Sequence, residues 1–287
     1  MAPGAAPDAA GLPVDGQAAG GEQAAAAKAV FGDRLELAAR YARLLATDGV
    51  VRGLIGPRET DRLWDRHLLN CAVLGELIAD GAYVIDVGSG AGLPGIVLAI
   101  ARSDLTVVLI EPLARRTAFL TEAVRELGLG ARVEVLRGRA EEAVAGPLVG
   151  RVEPADVVTA RAVAPIDRLA GWCLPLARVG GRLLALKGST AADEVATHGA
   201  AVERLGGGTP RLLRCGAGIL DQPATAVEIV RERAVDDRPS AGRSVSGRSA
   251  ASSAPASARS ASTGSGSRRS GSRRSGGGRS GSDRRGR

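Results

Sequence analysis

The chain has 287 residues, of which 45% are hydrophobic but only 2% aromatic, so its core has to be built mainly from Ala, Val, Leu and Ile. No apolar run approaches the roughly 18 residues of a transmembrane helix. Cys71, Cys173 and Cys215 form no Cys-x-x-Cys pair, which argues against a disulfide framework or a zinc site. We therefore expect a cytoplasmic protein. The net charge of +7 belongs to the C-terminal end: residues 238–287 contain twelve arginines and one aspartate, so the first 237 residues carry −4.

The N-terminal part of the chain is predicted to be helical after a short leader. Residues 1–21 are rich in Ala, Gly and Pro and lack the basic start and apolar core of a signal peptide, which predicts a disordered leader. From Glu22 to Thr47, apolar residues at helical spacing predict two helices with a break near Gly32. A third helical region is predicted from Arg58 to Ile78, and together these segments form an N-terminal helical region over residues 22–80.

The third helical region contains an unusually polar cluster. The simplest interpretation is a solvated helix face with ion pairs between residues three or four apart. In such a cluster His67 is more often a hydrogen-bonded structural histidine than a base. The members of the cluster are Asp61, Arg62, Asp65, Arg66, His67 and Asn70.

The central segment of the chain has the pattern of a strand, a glycine loop and a helix start. Tyr83 to Val87 is a short apolar run, typical of a strand buried on both faces of a parallel sheet, and its single acid, Asp86, comes just before the glycines. Gly88, Gly90 and Gly92 allow backbone conformations closed to other residues and let a ligand come against bare peptide. We therefore predict a ligand-binding loop here.

Two kinds of cofactor compete for this loop. The residues from Gly90 to Gly95 match Gly-x-Gly-x-x-Gly, in which a helix N-terminus receives the pyrophosphate of a dinucleotide. The segment from Asp86 to Gly92 instead resembles the first motif of the S-adenosylmethionine-dependent methyltransferases. S-adenosylmethionine carries a cationic amino group and a sulfonium, so the acid favours this cofactor, whereas it would repel a pyrophosphate. A structural turn capped by Asp86 is the remaining alternative.

Strands and helices then alternate, which predicts a doubly wound α/β sheet over residues 81–235. Glu111 closes the second strand 19 residues after Gly92, where an acid can accept hydrogen bonds from a ribose. The third strand is followed by Gly138 to Glu141, and the fourth delivers Arg161 to the same edge of the sheet, where ligands of open α/β sheets bind. The strands predicted after the loop are Thr106–Ile110, Arg132–Leu136, Ala155–Thr159, Arg182–Leu186, which follows a turn at Gly180 and Gly181, Arg211–Cys215 and Ala226–Val230.

Residues 236–287 have a composition that differs from the rest of the chain. They consist mainly of Ser, Gly, Ala and Arg without hydrophobic periodicity, which predicts a disordered tail. An Arg-rich disordered segment can add phosphate contacts that are independent of sequence and weaken with salt. The alternative is a solvated extension that affects solubility only.

Six sequence blocks, in order and spacing, resemble the RsmG family, also called glucose-inhibited division protein B, the small-subunit ribosomal RNA guanine-N7 methyltransferases. They cover roughly residues 30–230, and neither the leader nor the tail is part of the family pattern. The blocks are Gly-Leu-Ile-Gly-Pro-Arg-Glu from Gly53, Trp-Asp-Arg-His-Leu-Leu-Asn from Trp64, Asp-Val-Gly-Ser-Gly-Ala-Gly-Leu-Pro-Gly from Asp86, Arg-Gly-Arg-Ala-Glu from Arg137, Thr-Ala-Arg-Ala-Val-Ala from Thr159 and Leu-Ala-Leu-Lys-Gly from Leu184.

The resemblance implies a class I S-adenosylmethionine-dependent methyltransferase fold, which is Rossmann-like, with an N-terminal helical extension. The implied reaction is methyl transfer to N7 of one guanine, expected at position 527, in the decoding-region loop of 16S rRNA in the small ribosomal subunit. No metal ion and no membrane partner are expected. A NAD(P)-binding Rossmann oxidoreductase and a non-catalytic RNA-binding protein that relies on the tail are the alternatives from other classes.

The resemblance and the physical argument together give a set of candidate site residues. The residues that the resemblance assigns to the cofactor are Gly88, Leu93, Ala140, Glu141 and Arg161. Arg161 could hold either the cofactor carboxylate or an rRNA phosphate. Those added on physical grounds are the acids Asp86 and Glu111 and the loop residues Ser89, Gly90 and Gly92. The residues assigned as a hypothesis to the RNA surface are Arg58, Arg62, Arg66 and His67. Lys187 is a candidate phosphate contact or, equally, a solvated lysine at a strand end.

The chemistry of the target atom agrees with the absence of a recognisable base. The position after the fourth strand lacks the Asn/Asp-Pro-Pro-aromatic motif of exocyclic-amine methyltransferases, and Cys173 lies in a helical pattern rather than at a strand end, where a pyrimidine-attacking thiolate would be. Guanine N7 has an in-plane lone pair and no proton to remove. Alignment and exclusion of water, which can contribute roughly 7 to 11 kcal/mol, would then suffice, and we predict no catalytic side chain.

Overall fold

A computed structural model of the protein describes residues 21–161 and 164–234. The predicted leader, apart from Gly21, and the predicted Arg-rich tail lie outside the described residues. Within the described ranges, no helix is both long enough and apolar enough to cross a membrane.

One seven-stranded sheet forms the centre of the fold. Its strands are β1 Tyr83–Val87, β2 Thr106–Glu111, β3 Val133–Arg137, β4 Ala155–Arg161, β5 Ala177–Lys187, β6 Arg211–Cys215 and β7 Ala224–Val230. They follow the order β3-β2-β1-β4-β5-β7-β6, in which β1 pairs in parallel with β2 and β4, and β7 runs antiparallel to β5 and β6. This sheet confirms the predicted class I methyltransferase fold.

Strand β5 differs from its prediction at its beginning. Gly180 and Gly181, predicted as a turn before the strand, lie inside it, and the pairing of β4 with β5 shifts register between Ala155 and Val157. A Cβ on Gly181 would lie 2.8 Å from the carbonyl oxygen of Ala155, so the glycine allows the close approach at this irregularity. The predicted turn is therefore wrong.

Eight α-helices accompany the sheet in the part of the chain that the structure describes. They are α1 Gly21–Phe31, α2 Leu35–Leu44, α3 Asn70–Ala72, α4 Gly95–Ala101, α5 Ala114–Glu126, α6 Ala140–Ala145, α7 Ile166–Cys173 and α8 Ala191–Arg204. The first two match the prediction of two helices with a break, which is the short 3-10 turn Gly32–Arg34.

The third helical region is not one regular helix. It consists of a 3-10 turn over Pro57–Arg62, a π-helical turn over Leu63–Leu69, α3, and a second 3-10 turn over Val73–Leu77. The side-chain amide of Asn70 donates to the carbonyl oxygens of Asp65 at 2.9 Å and Arg66 at 3.3 Å, and so ties the start of α3 to the π-helical turn.

The two faces of the sheet carry different layers. Alternate residues of β1 point to opposite faces: Val84 packs with the N-terminal helices, α4 and α5, whereas Ile85 packs with α6, α7 and α8. By the same alternation Asp86 lies on the first face, next to α4. The N-terminal helical region thus shares a hydrophobic core with the sheet, and it covers the face toward which the acid of β1 points.

Candidate cofactor site

The loop after β1 is folded by its glycines and by hydrogen bonds to the end of β2. Gly88, Gly90 and Gly92 have φ angles of 67°, 59° and 91°, in the left-handed region that disfavours residues with a Cβ. The backbone N–H groups of Gly88 and Ser89 both donate to the carbonyl oxygen of Ile110, at 2.9 and 3.2 Å. The hydroxyl of Ser89 donates to the carbonyl oxygen of Asp86 at 2.9 Å. The loop is therefore fixed at the carboxyl edge of the sheet.

Asp86 is completely buried beneath this loop. Its carboxylate accepts a hydrogen bond from the backbone N–H of Gly95, at the start of α4, and one from the hydroxyl of Thr159 in β4, each at 3.1 Å. Burial raises the pKa of Asp86 to about 6, although these hydrogen bonds and the nearby Arg161 oppose the shift. The acid thus joins the loop, α4 and β4, and its role toward a cofactor remains a prediction.

Glu111 at the end of β2 holds the loop from the other side. One oxygen of its carboxylate accepts from the backbone N–H of Gly90 at 2.9 Å and the other from that of Leu113 at 3.0 Å. The side chain is 1% exposed, and Arg116 lies 3.8 Å from it. Each carboxylate oxygen can accept a second hydrogen bond, so the predicted contact with ribose hydroxyls remains chemically available.

A residue of α2 also supports the glycine loop. The buried hydroxyl of Tyr41 donates to the carbonyl oxygen of Ala91. Burial raises the pKa of Tyr41, so the hydroxyl stays protonated and able to donate. Sequence analysis missed Tyr41, because helical periodicity identifies it only as an apolar core position.

The remaining cofactor candidates line the same edge of the sheet. Leu93 is half-buried behind the loop, Ala140 is buried at the start of α6, and Glu141 is exposed beside it. Leu113, which the sequence analysis did not select, lies two residues after Glu111 at the end of β2 and is 51% exposed. An exposed large apolar side chain next to the loop is a suitable contact for an adenine ring.

Arg161 is the last residue of β4 and is held by the N-terminal helical region. Its guanidinium donates to the Nδ1 atom of His67 and, through Nη1, to the Sγ atom of Cys71 at 3.2 Å. The Nε2 atom of His67 lies 3.0 Å from a carboxylate oxygen of Glu59. Burial, and secondarily the charge of Arg161, lowers the pKa of His67.

The five residues assigned to an RNA surface separate into two groups. Arg58, Arg62 and Arg66 are exposed on the 3-10 and π-helical turns. His67 is 7% exposed and occupied by its contacts, so it lies beneath that surface rather than on it. The ammonium of Lys187 donates at 2.7 Å both to Glu194 and to the carbonyl oxygen of Ala164, and its side chain is only 9% exposed. These contacts make His67 and Lys187 weaker candidates for RNA contacts than the three arginines, and both assignments stay predictions.

The donors and acceptors of this edge suit S-adenosylmethionine better than a dinucleotide. The first amide of α4, which a pyrophosphate would use, is already bonded to the carboxylate of Asp86. A second carboxylate, that of Glu111, contacts the loop amide of Gly90. Two acids against the loop would repel phosphates but suit a cationic ligand, and a Cβ on Gly90 would meet no atom closer than 3.8 Å, which leaves its backbone open to a ligand.

Comparisons with known proteins agree with this assignment. The family model described as rRNA small subunit methyltransferase G matches residues 34–218, and the match ends before the Arg-rich tail. The chain is 66% identical over 216 residues to Ribosomal RNA small subunit methyltransferase G of Salinispora tropica, with 75% of this chain and 88% of the relative covered. It is 55% identical over 219 residues to the protein of the same name from Rhodococcus jostii, with 76% and 94% covered.

The matched segment contains the supporting residues Tyr41 and His67, the glycine loop and Arg161. It therefore includes both the N-terminal contacts and the edge of the sheet described above. The chain belongs to the rRNA small subunit methyltransferase G family and is an S-adenosylmethionine-dependent methyltransferase.

Proposed function

We propose that this chain transfers the methyl group of S-adenosylmethionine to N7 of a guanine in the decoding-region loop of 16S rRNA, at position 527, in the cytoplasm. The observation that carries the proposal is that the polar side chains at this edge are already hydrogen-bonded within the protein. Asp86, Glu111, His67 and Lys187 are all engaged in hydrogen bonds within the protein. Such an edge offers alignment rather than proton transfer, and guanine N7 is a nucleophile that needs no deprotonation.

The roles of the site residues follow from their places in the structure. When bound, S-adenosylmethionine supplies an electrophilic methyl group on a sulfonium. The bare backbone at Gly88 and Gly90 would let the cofactor approach, and the charge of Asp86 would favour its cationic methionine end. Glu111 would accept from the ribose hydroxyls, and Leu113 would cover the adenine. Ala140 and Glu141 would contact the adenine beside Leu113. Arg161 would hold the cofactor carboxylate.

Nucleoside mass spectrometry tests the reaction. Small subunits and naked 16S rRNA from a strain that lacks this modification are incubated with the protein and S-adenosylmethionine, then digested to nucleosides and, separately, to mapped fragments. We expect new 7-methylguanosine at position 527. A different methylated nucleoside, or 7-methylguanosine at another position, would contradict the proposed target while leaving the family assignment intact.

The structure determines which variants can serve as controls for this assay. An alanine at position 86 would leave the N–H of Gly95 and the hydroxyl of Thr159 without their buried acceptor, so loss of activity would not separate chemistry from unfolding. Gly90→Ala, in a loop position with open space, is the better cofactor-site variant. Gly128→Ala has similar backbone strain outside the site and is the matched control.

The exposed arginines are expected to contact RNA phosphates. Simultaneous replacement of Arg58, Arg62 and Arg66 by alanine should weaken rRNA binding and reduce the slope of log affinity against log salt by up to about 2.7, because each lost phosphate contact contributes about 0.7 to 0.9. The contribution of Arg66 should be the smallest of the three, since it lies 3.4 Å from Glu59. S-adenosylmethionine affinity should not change.

A matched control for these arginines lies at the opposite edge of the sheet. Arg151 precedes β4 and Arg178 lies near the start of β5, and both are more than half exposed. The double alanine variant of this pair should bind rRNA with the salt slope of the unmodified protein. An equal loss of slope per replaced arginine in both variants would show that RNA binding reflects overall charge and not this surface.

A further inference from the structure

The contacts of His67 fix the position of its proton. A guanidinium has no hydrogen-bond acceptor, so the Nδ1 atom that Arg161 contacts has to be unprotonated. The Nε2 atom faces the carboxylate of Glu59 at 3.0 Å, and a carboxylate can only accept, so the ring proton lies on Nε2. His67 is therefore a neutral imidazole that accepts from Arg161 and donates to Glu59.

This arrangement joins three elements that are distant in the sequence. Glu59 belongs to the 3-10 turn of the N-terminal region, His67 to the π-helical turn, and Arg161 to the end of β4. Cys71, which is fully buried, contacts the second nitrogen of the same guanidinium at 3.2 Å. Two of the guanidinium nitrogens thus have protein partners, and these partners determine how the group is oriented at the edge of the sheet.

We propose that His67 is a positioning residue for Arg161: as the neutral Nε2–H tautomer it holds the guanidinium in the orientation that contacts the cofactor. The inference rests on the proposed contact between Arg161 and the cofactor carboxylate. His67 is buried and both of its ring nitrogens are paired within the protein, so this role requires no contact of His67 with the cofactor or the RNA. The other charged and titratable groups near this network are Arg66, Tyr41 and Asp86, and none of them supplies the acceptor that Nδ1 provides.

The tautomer is measured on the unmodified protein. The chain has only two histidines, His67 and His198, so a protein labelled with ¹⁵N-histidine gives two sets of ring signals, and His198→Asn assigns them. At pH 8 we expect His67 to be protonated at Nε2 and unprotonated at Nδ1. A proton on Nδ1 would overturn the proposal, because that atom could not then accept from Arg161.

Cofactor-product binding provides the second measurement. Asparagine at position 67 retains an acceptor at the distance of Nδ1 along the side chain, whereas phenylalanine retains the ring shape without one. In calorimetric titrations with S-adenosylhomocysteine at pH 8, His67→Phe should bind about tenfold more weakly than the unmodified protein, and His67→Asn within about threefold of it. His198→Asn should bind normally.

The outcomes separate this inference from the proposed function. Equal affinities of folded His67→Phe and the unmodified protein, or equal losses in the Phe and Asn variants, would overturn the positioning role. If His67→Phe does not fold, the tautomer of the unmodified protein and the affinity of His67→Asn decide. An unmodified protein with the Nε2–H tautomer whose affinity for S-adenosylhomocysteine is unchanged by Arg161→Ala would overturn the proposed cofactor contact, and with it the function of the positioning.

Discussion

Asp86→Asn is expected to make the protein more stable at pH 8 and to weaken its binding of S-adenosylmethionine. Asp86 is fully buried, and its pKa is raised from 3.8 to about 6. The protonated carboxyl is therefore favoured in the folded state. The contribution of this carboxyl to stability is present below about pH 4 and is lost as the pH rises through about 6. At pH 8 the loss in the free energy of unfolding is at most about 3 kcal/mol.

An asparagine can reproduce both hydrogen bonds of the carboxylate. Its amide oxygen can accept from the N–H of Gly95, and its amide nitrogen can donate to the hydroxyl oxygen of Thr159. Urea unfolding at pH 8 should therefore give a free energy of unfolding up to about 3 kcal/mol higher than that of the unmodified protein, and the difference should shrink at pH 5. The same variant should bind S-adenosylmethionine at least about tenfold more weakly, since it lacks the charge opposite the cationic methionine end.

The control for this variant is Asp156→Asn, because the pKa of Asp156 is lowered and not raised. Asp156 at the start of β4 accepts from the N–H of Tyr83 at 2.8 Å and from Arg178 at 2.7 Å, and these partners lower its pKa. Its stabilising contribution is present at pH 8 and lost in acid, so Asp156→Asn should destabilise the protein at pH 8. Unchanged cofactor affinity in Asp86→Asn would show that the buried charge serves only the fold, and unchanged stability would show that the neutral and charged forms are equally well accommodated.

Local sequence patterns were sufficient to predict the sheet and the edge at which the site lies. Short apolar runs identified the strands, and glycines following an acid identified the loop, because both signals depend on neighbouring residues only. The placement of Glu111 and Arg161 at the same edge followed from parallel topology. Where a local pattern was ambiguous, as at Gly180 in β5, the prediction was wrong because a glycine in a bulge and one in a turn have the same sequence signal.

The partners of polar side chains could not be predicted in this way. Periodicity indicates the face on which a residue lies, but not which residue of a distant element lies opposite. The contact of Tyr41 with Ala91 joins residues 50 positions apart, and that of His67 with Arg161 joins residues 94 apart. The sequence identified Lys187 as a candidate RNA contact, because its pairing with Glu194 depends on where α8 begins relative to β5 and has no local sequence signal. The N-terminal region therefore supports the cofactor edge through contacts that only the folded chain shows.

The glycine loop provides the second prediction with a large effect, through three glycine-to-alanine variants. Gly128 has a φ of 68° and no atom within 4 Å of an added Cβ, so its replacement should cost only the strain of the left-handed conformation, about 1 to 2 kcal/mol. Gly90 has a φ of 59° and similar free space, and should show the same loss. At Gly92, with a φ of 91°, the Cβ would lie 2.6 Å from Ile96 Cδ1 and 2.7 Å from Tyr41 Oη. Overpacking adds about 1 to 3 kcal/mol there, so Gly92→Ala should lose about 2 to 5 kcal/mol in total.

Binding measurements on the same variants separate the fold of the loop from its function. Gly128→Ala should bind S-adenosylmethionine normally, because its strain lies after α5 and away from the site. Gly90→Ala should be equally stable but should bind at least about tenfold more weakly, since its methyl group occupies space that a ligand against the loop backbone requires. If Gly90→Ala instead binds as well as Gly128→Ala, no ligand approaches that part of the backbone. The three-glycine motif would then be required for the turn toward α4 and for the contact with Tyr41, and the cofactor would have to be held by the acids and by Arg161.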